Sequence, residues 1–208
     1  MVPVVCSLKA YGITTSLPNA NTPYPVYWGT KECDTDGMFS TSNQSLITAA
    51  TPGYYRVHSV IAVPCQSSAM VFLATANVIY GPNNPNGASG TMVEFASAQT
   101  YAPAIATSGD DACVCVSGLS PYMAVGDSIQ IQAECSVAGI EIDTGFRYTG
   151  HTNTAGSRDG ASAFQCYLAQ TATLSLTDGG SASTTATLTV DDGTAARTAS
   201  ATLDGGVA

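Results

Sequence analysis

Two histidines, seven cysteines and three close acidic pairs are the residues of this 208-residue chain whose types could support chemistry. A catalytic or metal centre would need several of them to converge. His58 falls inside an alternating run beside Arg56, where the pattern predicts a half-buried strand side chain. His151 stands in the polar run 150–154, GHTNT, and reads as an exposed loop residue. Two isolated histidines do not supply the clustered imidazoles of a metal-dependent cupin. There is no Gly-x-Ser-x-Gly elbow, no Gly-x-x-x-x-Gly-Lys phosphate loop and no dinucleotide fingerprint. Asp34/Asp36, Asp110/Asp111 and Asp191/Asp192 each sit at a turn, where Asp bonds the local backbone. A surface Ca²⁺ site is their other reading, and it needs several loop oxygens to converge. The expectation is a protein with no catalytic residues, no cofactor and no metal.

Seven is an odd number of cysteines, and the default reading is reduced thiols used as small apolar side chains. One or more disulfides remains an alternative. Cys113 and Cys115 lie two apart on one strand face, which separates their Cα atoms by about 6.6 Å, near the upper limit for a bridge. No Cys-x-x-Cys occurs, so a structural zinc site has poor support.

Charge narrows the partners. Six Lys plus Arg face fifteen Asp plus Glu, a formal net charge of −9, and charged residues make up only 10% of the chain. The basic residues form no run, so nucleic acid and anionic membrane are not expected partners. The surface is then mostly Ser, Thr, Asn, Gln, Gly and Ala, which suits a subunit covered by its neighbours. Met1 leads directly into VPVVC, with no basic and apolar leader of secretory length. The longest mostly apolar stretch, residues 69–80, is too short to span a bilayer as a helix.

Period-2 alternation must position whatever the surface carries. Residues 127–136 place Ile129, Ile131, Ala133 and Cys135 on one face and Ser128, Gln130, Gln132 and Glu134 on the other. Residues 53–63 place Tyr55, Val57, Ser59, Ile61 and Val63 together. Residues 70–80 are apolar on both faces, which predicts that a neighbouring subunit covers the outer one. Met70, Phe72, Val78 and Tyr80 are the expected subunit contacts. Shorter strands are expected at 2–9, 24–28, 44–49, 91–98, 112–117 and 163–169, with Gly, Pro and Asp turns between them. The class is all-β, a sandwich or barrel.

After Gln170 the composition turns to Thr, Ala, Ser, Gly, Leu and Asp. ATLSLTDG at 172–179 is echoed by ATLTVDDG at 186–193 and by ATLDG at 201–205. Each unit reads as a short strand ended by an Asp-Gly turn. One reading is a flexible linker. The other is an ordered extension that makes assembly contacts through Leu174, Leu176, Leu188, Val190 and Leu203. The expected division is a jelly roll over 1–170 and an assembly or anchoring extension over 171–208.

The order of several segments resembles the C1q/TNF-like jelly-roll domain, as found in bacteriophage virion proteins. The matching stretches are TTSLPN at 14–19, VYW at 26–28, CDTDGMFS at 33–40, TPGYYRV at 51–57, MAVGDSIQI at 123–131 and AFQCYL at 163–168. The sequence departs from the family where a basic residue and Ile-x-x-Asn-Gly would follow the fourth strand. It carries VIYGPNN at 78–84 instead, and 144–160 is long and polar. The resemblance implies a ten-stranded sandwich associating as a compact homotrimer, its axis lined by apolar residues of one sheet. It further implies a non-enzymatic virion structural protein, a decoration or fibre component on a phage capsid or tail. Its partners would then be major capsid or tail proteins. Receptor or host-glycan binding through residues 81–89, 101–111 and 145–160 is the second reading, with Tyr80, Tyr101, Tyr122 and Tyr148 near those loops.

Overall fold

The computed structural model describes residues 4–10, 13, 15–104, 111–142, 162–170, 183–191 and 196–204. Two antiparallel sheets face each other. The first has the order β10-β7-β13-β1-β4, formed by Asp111–Leu119, Tyr54–Pro64, Ala163–Gln170, Val5–Lys9 and Thr30–Asp34. The second has the order β5-β6-β11-β8-β9, formed by Phe39–Ser40, Asn43–Thr48, Ser128–Cys135, Met70–Ile79 and Met92–Ala102. The two-residue strand β3, Tyr24–Pro25, adds to β11 beyond the end of β6. The strands that alternation failed to announce are short: β2 (Thr15–Leu17), β4, β5 and β12 (Ile140–Ile142).

The interior is built from the predicted apolar faces. Ile129, Ile131, Ala133 and Cys135 of β11 meet Tyr55, Val57, Ile61 and Val63 of β7, all buried. The polar face of β11 is not fully wet, because Ser128 and Gln130 are also buried. The Ser128 and Thr48 hydroxyls bond at 2.9 Å, and Gln132 donates to the Gln130 side-chain carbonyl at 3.0 Å.

Met70, Phe72, Val78 and Tyr80 are part of this same interior, Met70 at 1% exposure and Phe72 and Val78 at 0%. This corrects the expectation that they contact a neighbouring subunit. The outward face of β8 carries Val71, Leu73, Thr75 and Ile79 instead. Both faces of the segment are apolar, and the one selected for the core is the one turned toward the first sheet.

The open sides of the sandwich are closed differently. On one side the β2–β12 pair buries Leu17, Ile140 and Ile142. On the other, edge strands β9 and β10 pack together. A bulge opposite Ala76 and Asn77 turns both Phe95 and Ala96 toward the interior. Gly118 sits under them; an added Cβ would lie 2.7 Å from the Ala96 Cβ and 3.2 Å from the Phe95 ring.

Cys6 and Cys166 are direct cross-strand partners in the first sheet, both at 0% exposure. The hydrogen bond from Cys6, with burial second, pushes the Cys166 thiol well above its ordinary 9.0. Burial likewise pushes the Tyr55 phenol up from its ordinary 10.0, while its hydroxyl donates to the Thr51 carbonyl at 2.5 Å. Both groups keep their protons in the folded state after the unfolded chain has lost them. Stability is therefore whole below pH 9 and falls as pH rises through 9 and then 10, by up to about 1.4 kcal/mol per pH unit for each group. Urea unfolding at pH 8, 9.5 and 10.5 should show this fall, and Tyr55→Phe should flatten the upper part. Equal stability at all three pH values would refute the assignment.

Candidate self-association surface

Of the carboxylates that sequence reading placed at turns, Asp34 and Asp36 are described, and both are hydrogen-bonded within the chain. Asp34 accepts the Met38 and Phe39 N–H groups at 2.8 and 3.1 Å, with Lys31 at 3.8 Å. Asp36 accepts the Thr51 hydroxyl at 2.7 Å. Among the described residues no three His, Cys, Asp or Glu side chains converge. Asp110, Asp192 and His151 lie outside the described residues, and the side chains of Asp111 and Asp191 are likewise not described.

The loops expected to share a ligand site are split. The β8–β9 ladder pairs Ile79 with Met92 at one end and Met70 with Ala102 at the other. Residues 81–89 and the Tyr101 end of the second loop are therefore separated by the length of a ten-residue strand, roughly 30 Å. Residues 145–160, with Tyr148, lie outside the described residues. Tyr80 is buried beneath Gly87, and Tyr122 meets Tyr54 edge-on at 5.8 Å between ring centres. Tyr101, 65% exposed, is paired across the ladder with Val71.

What the fold does assemble is the outer face of the first sheet. Register places Leu119, Arg56, Tyr167 and Val5 in one row across β10, β7, β13 and β1. The next row is Ser117, His58, Gln165 and Ser7, and the third holds Cys115, Val60 and Ala163. Leu119 and Tyr167 are 47% and 42% exposed. His58 is exposed rather than half-buried, because the even positions of β7 point away from the core.

Cys113 and Cys115 do share one face, and it is this outward one. The small-apolar reading of the cysteines holds for buried Cys6, Cys65, Cys135 and Cys166; Cys33, Cys113 and Cys115 are exposed. Among the described outward side chains of β7, β10 and β13 there is no carboxylate. The opposite sheet carries Glu94 and Glu134 on its outer face. In a chain of net charge −9 that difference matters. Bringing copies together through β7, β10 and β13 would bury few carboxylates against each other.

This surface belongs to a jelly roll of the C1q/TNF type, the fold that the sequence motifs resemble. Three crystal structures of murine APRIL, at pH 5.0, 8.5 and 8.0, share it, with TM-scores of 0.53, 0.50 and 0.52. Each is 12% identical to this chain and is covered over its full length by 80% of it. No known family profile matches the sequence, and no curated protein sequence does.

Proposed function

We propose that the chain is a non-enzymatic structural subunit that forms a homotrimer through the outer face of the first sheet. In this reading it serves as a virion component on the surface of a phage capsid or tail. The observation that carries self-association is the outward face of β7, β10 and β13, where no described side chain is a carboxylate and Leu119 and Tyr167 are exposed, beside exposed Cys115 and half-buried Val5 and Val60. An acidic, charge-poor chain that keeps such a face solvent-exposed leaves apolar area for a neighbour to bury. The virion role is supported by the ordered motifs shared with phage versions of the domain.

Light scattering on the purified chain is expected to return three times the 21.1 kDa subunit mass. Tyr167→Glu, which places a buried charge at the contact, should shift that mass to one subunit while leaving the β-sheet circular dichroism unchanged. A wild-type monomer would overturn the trimer. Immunogold labelling of purified particles tests the virion role, and particles without label would overturn that half alone.

A further inference from the structure

Of the seven cysteines, only Cys6 and Cys166 are set opposite one another in a described strand ladder. Cys33 faces Ser7, Cys113 and Cys115 face Ala62 and Val60, and Cys135 faces Phe72. The Leu168 N–H donates to the Val4 carbonyl at 3.0 Å, and the Ala10 N–H donates to the Ser162 carbonyl at 2.9 Å. These are hydrogen-bonded pairs at the two ends of the β1–β13 ladder, whose register runs without a shift. Such pairs recur at every second position, which makes Cys6 and Cys166 one of them. Their Cα atoms then lie about 5.5 Å apart, inside the range of about 4.4–6.8 Å that a disulfide spans. Directly opposed side chains leave a sheet on the same side. Here that side is the interior, and both thiols are wholly buried.

We propose that this pair is a redox-sensitive staple, which a small disulfide of the glutathione type oxidises to an intrachain bond between β1 and β13. One cysteine thiolate attacks a sulfur of the reagent, forming a mixed disulfide and releasing one glutathione thiolate. The other cysteine thiolate attacks the protein sulfur of that mixed disulfide, forming the Cys6–Cys166 bond and releasing the second. The two cysteine protons end on the two glutathiones, so two cysteines are oxidised and one glutathione disulfide is reduced. Burial closes both thiols to reagents while β1 stays docked, and the hydrogen bond from Cys6, with burial second, keeps Cys166 protonated there. Exchange is therefore confined to the opened chain, and refolding seals the product in. The bond closes residues 6–166 into one loop that takes in both sheets, and long loops are where a crosslink constrains the unfolded chain most. The Cβ atoms of a hydrogen-bonded pair stand about 5.5 Å apart, roughly 1 Å more than a disulfide prefers. The bond is accordingly strained, and more readily reduced once the chain opens. Both side chains point inward, so the outer face of the first sheet is the same in either state.

The test refolds the full chain from urea in a buffer of oxidised and reduced glutathione, beside a sample refolded in dithiothreitol. Peptide mapping without reduction should find Cys6 joined to Cys166 in about tenfold excess over any other pairing, since only these two are held at bonding distance. The oxidised protein should unfold at a urea concentration about 1 M higher than the reduced one. Dithiothreitol added to the unfolded chain should erase that difference. Cys6→Ala should show no such gain in stability on oxidation. Cys33→Ser, which removes an exposed thiol from edge strand β4, should keep both the link and the gain, and it serves as the comparison if alanine at position 6 prevents folding. A mixture of pairings with no excess of Cys6–Cys166, or an oxidised protein no more stable than the reduced one, would overturn the inference.

Discussion

Asp127→Ala is expected to lower folding stability by about 3–5 kcal/mol, the range for leaving buried polar partners uncompensated. The carboxylate is wholly buried, and it is met only by donors among its described hydrogen bonds. The Gly81 N–H reaches one oxygen at 2.6 Å; the Ala124 N–H at 2.7 Å and the Asn84 side-chain amide reach the other. The backbone of Asp127 continues the knot, accepting the Ala49 N–H at 2.7 Å. One side chain thus ties together segments around residues 49, 81–84 and 124 at one end of the sandwich.

Alanine leaves three donors buried without an acceptor. The loop cannot readily shift to find others, since a Cβ at Gly81 would already lie 2.7 Å from the Gly126 carbonyl oxygen. Asp127→Asn keeps the volume and one acceptor oxygen but turns an NH₂ toward a donor, so it should lose about half as much. Urea denaturation of the three proteins checks the order. An alanine variant within about 1 kcal/mol of wild type would show that the knot does not hold this end together.

The second large effect is expected from Phe164→Ala, again about 3–5 kcal/mol. Phe164 belongs to β13 in the first sheet, and its ring centre lies 5.6 Å from that of Trp28, tilted by 47°. Trp28 donates its backbone N–H to Gln44 in β6 at 2.9 Å, which ties it to the second sheet. The aromatic pair therefore bridges the two layers, and both rings are buried. Truncating Phe164 opens a cavity where the sheets are held apart by close-packed side chains.

Trp28→Phe makes an informative contrast. The indole N–H is buried with no hydrogen-bond partner among the described residues. Removing it relieves a desolvation cost of about 1–3 kcal/mol, which offsets part of the lost packing. Trp28→Phe should accordingly cost clearly less than Phe164→Ala in the same denaturation series. Equal losses would mean that the indole nitrogen is satisfied.

Alternation made most of the sandwich legible. A strand with one dry face must show period 2, and 53–63 and 127–136 did, so their inward residues could be named before any coordinates. Where period 2 gave no contrast, the reading failed. Residues 70–80 are apolar on both sides, and Met70, Phe72, Val78 and Tyr80 were assigned to the neighbour when they belong to the core. Strands of two or three residues such as β2 and β5 escape alternation, which needs a longer run to be seen. The Gly126-Asp127 motif could be recognised as family-like, yet nothing local marks Asp127 as buried. Its partners at Gly81 and Asn84 are more than forty positions away.

By itself, then, the sequence determined the strand class, the polarity of most faces, the acidic and charge-poor composition, and the imperfect repeat of the tail. These follow from local spacing and composition, which no packing can alter. Tertiary structure decided which apolar face turns inward, which strands present no described carboxylate outward, and which loops share an end. Those outcomes depend on pairing between segments far apart in the chain, and a one-residue change of register would exchange every one of them.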